Sequence, residues 1–86
     1  ESNIPELKAR IQKTIDFVQG LPAAAIEAAP GRKITVTMRG EDKTFDAMTY
    51  LLQMALPNFW FHSTTAYAIL RHAGVELGKK DFIGPA

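Results

Sequence analysis

The run ALPNFWFHSTTAYAILRH, residues 55–72, decides how this chain is read. It is apolar for most of its length, yet it holds a proline near its start and one histidine in its middle. Followed upstream, the pattern is helical from Asp46, a suitable N-cap, to Arg71 and His72, and Gly74 is a natural left-handed stop after that basic last turn. A helix over 46–73 would have about 27 residues and run roughly 40 Å at 1.5 Å per residue, long enough to be the spine of a domain. Pro57 breaks its regularity: inside a helix it removes one hydrogen bond and presses on the carbonyl four residues back, at a cost of ~3 kcal/mol or more. A kink or restart is therefore predicted between Leu56 and Phe59. On the wheel Gln53, Pro57, Trp60, Thr64 and Arg71 form one stripe that reads as solvated. Leu51, Ala55, Asn58, His62, Ala66, Ile69 and Ala73 form the opposite, alanine-rich stripe, where another helix can approach closely.

Two other patterns precede the spine. Ile4, Leu7, Ile11, Ile15 and Val18 recur at steps of three and four, which predicts an amphipathic helix over about 3–19, capped by Ser2 or Asn3, with Pro5 in its first turn and Gly20 and Pro22 at its end. A short helical turn fits the alanine cluster before Pro30-Gly31. The period then becomes two: Ile34, Val36 and Met38 alternate with Thr35, Thr37 and Arg39. Gly40 with Glu41-Asp42 reads as the turn, and KTF returns as a second strand ending on Phe45, giving a hairpin over about 33–45. Two strands alone are marginal, so the apolar face of the hairpin is expected to lie on helices.

The chain has 86 residues, 47% of them hydrophobic, which suits one small domain or the half of a larger one. A chain this short buries roughly 60 to 65% of its unfolded surface, so a partner surface would matter to its stability. Absence of cysteine rules out disulfides and thiolate metal sites and fits a reducing compartment, so the expected location is cytoplasmic. Ten basic and nine acidic side chains are scattered, which gives no footprint for nucleic acid. The apolar run from Tyr50 to Phe61 is interrupted and falls short of the ~20 residues that span a bilayer, so no membrane partner is expected. The first residue is Glu1, and the chain is read as processed, trimmed or a fragment.

No Ser-His-Asp order, carboxylate pair or glycine-rich phosphate loop stands out. His62, on the small-residue stripe, is expected to point inward and is read first as a core or interface histidine hydrogen-bonded by Asn58, one turn earlier. It is also a weak metal candidate, because a helical site needs a second ligand at i+3 or i+4 and those places hold Thr65 and Ala66. Trp60 and Tyr67, amphipathic aromatics on or beside the polar stripe, mark a possible pocket or interface together with Asn58. Arg71 and His72 read as complements to the helix dipole.

The residues from YLLQMALPNFWFHSTTAYAILRH through AGVELGKKDFIG, with the upstream ELKARIQKTIDFVQGL and the hairpin ITVTMRGEDKTF, resemble a family of bacterial and fungal domains of unknown function related to the DinB/YfiT-like helical bundles. The resemblance covers nearly the whole chain. It implies a mainly α four-helix bundle about twice this length, of which this chain would be the second half: two long antiparallel helices with a small β-hairpin between them and a tail over 74–86. Better-studied members of that superfamily are metal-dependent transferases or hydrolases that use three histidines, two of them in a His-x-x-x-His pair on the last helix. His62 matches the first of that pair, and Ala66 stands in place of the second. The reading that follows is a non-enzymatic or small-ligand-binding bundle with no cofactor, partnered by an N-terminal half of the same domain or by a second copy. The alternative is a DinB-like enzyme holding a divalent metal through ligands outside this chain.

Overall fold

A computed structural model of the chain describes residues 1–85, which divide into two units, Glu1–Pro30 and the remainder from Gly31. In the first unit, α1 spans Ile4–Gln19. Its start is fixed by reciprocal bonds: the Asn3 side chain accepts from the Glu6 N–H at 2.9 Å, and the Glu6 carboxylate accepts from the Ser2 N–H at 2.6 Å. The Gly20 N–H closes the helix on the Asp16 carbonyl at 3.0 Å, and a short α2, Ala23–Glu27, follows Pro22. The apolar stripe of α1 is open, with Ile11 and Val18 each 58% exposed. A lone amphipathic helix beside one short turn has nothing within its own unit to cover such a stripe.

The second unit opens with an antiparallel hairpin of β1, Lys33–Met38, and β2, Glu41–Asp46, in a register that sets Ile34 against Phe45 and Met38 against Glu41. The turn lies earlier than its composition suggests. Arg39 and Gly40 alone form the loop, with φ of 54° and 82°, so Glu41 and Asp42 belong to the strand. Two successive positive φ values match the right-handed twist of the flanking strands, and this outweighs the turn preference of the acidic pair. On the exposed face the Thr35 and Thr44 hydroxyls meet at 3.0 Å, and the Thr37 hydroxyl donates to Asp42 at 2.6 Å. The other face carries the half-buried Ile34, Val36 and Met38.

The helix begins without a linker. Asp46, still extended, caps α3, Ala47–Tyr50, by accepting the Met48 N–H at 3.2 Å. Ala47, whose N–H donates to the Arg32 carbonyl at 2.9 Å, is the one buried residue among those described, at 6% exposure. The Phe45 and Tyr50 rings, 5.8 Å apart, seat this first turn on the hairpin. Next comes a π-helical turn, Leu51–Ala55, in which the Leu56 N–H reaches back five residues to the Leu51 carbonyl. α4, Leu56–His72, then runs on with Pro57 in its first turn. A restart does fall at Leu56, but the strain is relieved one turn upstream of the proline. The wide turn contains Gln53, whose carbonyl the proline ring would press on in a regular helix.

At its end α4 is closed by Gly74 at φ 97°, whose N–H bonds the Arg71 carbonyl while Val75 bonds Leu70, both at 3.1 Å. The segment read as a plain tail contains a further helical turn, α5, Lys79–Ile83, started by the Asp81 carboxylate accepting the Gly78 N–H at 2.7 Å. The last residue of that tail, Ala86, lies outside the described residues. The protein is thus mainly helical with one small two-stranded hairpin. Gly40→Ala should destabilise the chain by ~1 kcal/mol or more, because a Cβ is strained at φ 82°. Arg39→Asn, which suits the left-handed region, should stabilise by about 0.5 kcal/mol. Denaturant midpoints followed by far-UV circular dichroism check both, and an Ala variant with the wild-type midpoint would refute this account of the turn.

Candidate functional site

On the stripe of α4 that reads as solvated, Trp60 and the neighbouring Tyr67 meet a later element of the chain. α5 lays the Phe82 ring 5.3 Å from Tyr67 and 6.1 Å from Trp60, between centroids, while Trp60 meets Phe59 edge-on at 5.2 Å. Such tilted and edge-to-face pairs align the positive rim of one ring with the negative face of another. Trp60, Tyr67, Leu70, Leu77 and Phe82 bound an open hollow of about 450 Å³, with Ser63 and Asp81 as polar groups in its lining. A second hollow, about 260 Å³, shares Tyr67 and Phe82 and adds Thr64, Arg71 and Lys79. Arg71 Nη1 donates to the Tyr67 hydroxyl at 3.3 Å, and its guanidinium carbon stands 6.0 Å from that ring's centroid.

The opposite stripe, predicted to be buried, is open: Ile69 is 63% exposed, and His62 and Ala66 are exposed with it. Both stripes are thus largely open within this chain: Trp60 is 53% exposed and Thr64 and Arg71 are exposed, while Ala55 on the opposite stripe is half-buried. Polar tips at Thr64, Tyr67 and Arg71 suggest solvent, but their apolar bodies can line a contact while the tips stay wet. His62 makes no hydrogen bond with Asn58 and stacks edge-on against Phe61 at 5.3 Å. Asn58 instead lines a small hollow of about 140 Å³ with Val36, Met38, Tyr50 and Met54, where the helix meets the hairpin.

Of the residues singled out by sequence, Trp60 and Tyr67 come together, while His62 and Asn58 lie apart from them. Among the described residues no three His, Asp or Glu side chains are grouped closely enough to hold a metal ion, and no helix is long and apolar enough to cross a membrane. Sequence reasoning missed Phe82, Lys79 and the contact of Arg71 with Tyr67. The available signal was Gly78-x-x-Asp81, a helix start that delivers Phe82 one residue later. Phe82→Ala should uncover Trp60, the chain's single tryptophan, and shift its emission to the red. The cost should be about 1 to 2 kcal/mol, below the 3 to 5 of a fully buried phenylalanine, since Phe82 is already 36% exposed. Unchanged emission would mean that α5 does not rest on this face.

With the geometry set out, known proteins place the chain. The family model described as a domain of unknown function, DUF1993, matches residues 1–83. Among solved structures the chain is similar to the crystal structure of a DinB family member protein from Shewanella denitrificans, with 37% sequence identity and a TM-score of 0.85 over 100% of this chain and 48% of that one. The chain thus spans about half the length of that relative. A search of curated proteins gave no match. This chain belongs to the DUF1993 family, whose fold here is DinB-like.

Proposed function

We propose that this chain is the second half of a DinB/YfiT-like four-helix bundle, that α1 and the long helix run antiparallel in it, and that the domain binds a small ligand without catalysing a reaction on it. One observation carries the binding reading: the hollow of about 450 Å³ walled by Trp60, Tyr67, Leu77 and Phe82. Its volume falls in the range of small-molecule sites, and apolar walls with a few polar groups are their usual construction. The bundle reading is supported by the open stripes of α1 and α4 and by a relative of about twice this length. The natural cover for those stripes is the remainder of the domain, and a second copy of the chain is the substitute.

A metal-dependent enzyme is the second reading. It is favoured by the position of His62 on the open stripe of α4, where ligands from outside the chain would have access to its ring. Metal analysis of the protein purified without chelators, repeated on His62→Ala, separates the two. The binding reading expects substoichiometric metal that the substitution leaves unchanged. Stoichiometric metal that disappears with His62 would overturn it in favour of the enzyme.

A further inference from the structure

The smaller hollow differs from its neighbour in charge. Arg71 and Lys79 both line it, from the end of α4 and the first residue of α5, while Tyr67 and Phe82 supply two aromatic walls and Thr64 a hydroxyl. Among the described residues no carboxylate lines it. Asp81 belongs to the lining of the larger hollow, and its Oδ2 is held at 2.7 Å by the Gly78 N–H. Among the described residues the one ion pair joins Glu1 and Arg10, so neither Arg71 nor Lys79 is neutralised by a partner there. Arg71 is also oriented, since its bond to the Tyr67 hydroxyl holds the guanidinium over the aromatic wall. Two basic side chains lining one largely apolar hollow, with no countercharge among the described residues, suit a small anion that carries an apolar body.

We propose that this hollow binds a single-ring aromatic monocarboxylate. The carboxylate lies on Arg71 and Lys79, with Thr64 as a further donor, and the ring packs on Tyr67 and Phe82. The guanidinium fork matches a carboxylate in a planar, bidentate arrangement, and the ammonium adds a point charge. The hollow is open and of about 260 Å³, a space that one ring fills. The inference goes beyond the ligand-binding reading above: it concerns the neighbouring hollow, which shares Tyr67 and Phe82 with the larger one, and names the chemical class of its ligand.

Benzoate and its neutral isostere benzamide test it directly, titrated into the whole chain while the amide resonances of Lys79 to Phe82 are followed by NMR. Benzoate should bind at least about tenfold more tightly than benzamide, a preference of ~1.4 kcal/mol, and should weaken as salt is raised. Exchanging both cations, Arg71→Gln with Lys79→Gln, should bring the two ligands to within about twofold of each other. Lys13→Gln, in the first unit, should leave the preference intact. Equal affinity for both ligands in the wild type would overturn this inference and leave the ligand-binding reading standing. Absence of saturable shifts with either ligand would overturn this inference as well. The wild-type comparison decides the matter even if the double variant fails to fold.

Discussion

A helix can bury only those faces that something else covers, and the second unit depends on how this limit falls on the helix from Ala47 to His72. Its first turn rests on the hairpin through Phe45, Tyr50 and Ala47. Its last turns are covered by Phe82 on the side of Trp60 and Tyr67. Between and opposite these contacts Leu52, Phe59, Phe61 and Ile69 remain more than half exposed. Burying a large apolar side chain is worth ~1.5 to 3 kcal/mol, so a few such residues equal the ~5 to 15 kcal/mol net stability of a whole domain. What covers them therefore weighs more in the stability of this protein than its capping bonds or its exposed Glu1–Arg10 pair, which is worth ~1 kcal/mol or less.

Pro57 matters because it fixes where this long helix may adjust. The π turn at Leu51–Ala55 lies between the turn that sits on the hairpin and the α4 segment that receives Phe82. A wide turn changes the rotation of everything after it, so it sets which side chains of α4 face the incoming α5. The proline, the wide turn and the aromatic hollow are thus linked through helix phase, although Pro57 is not among the residues that line the hollow.

Much of the architecture was legible because period is a strong signal. The change from steps of three and four to strict alternation at Ile34, Val36 and Met38 separates helix from strand with no structure in hand, and Asp46 and Gly74 bracket the long helix by their chemistry alone. The hairpin turn was misplaced because Arg39 is a poor sequence marker for a left-handed residue. The contact of Trp60 and Tyr67 with Phe82 was hidden for a deeper reason: a helical wheel reports polarity, whereas contacts depend on which element arrives. Here the arriving element is five residues long and has no periodicity of its own. The candidate site was legible only as Trp60 and Tyr67. Phe82 and Lys79 join it through a tertiary contact, and no spacing within α4 announces them.

The central proposal is that the rest of a bundle, or a second copy of the chain, covers the apolar stripes of α1 and α4. Multi-angle light scattering on this 86-residue chain, combined with denaturant unfolding of the same sample, tests it most directly. The account predicts a mass above that of one chain, or a single chain without a cooperative unfolding transition. A monodisperse single chain that unfolds cooperatively at high denaturant would contradict it.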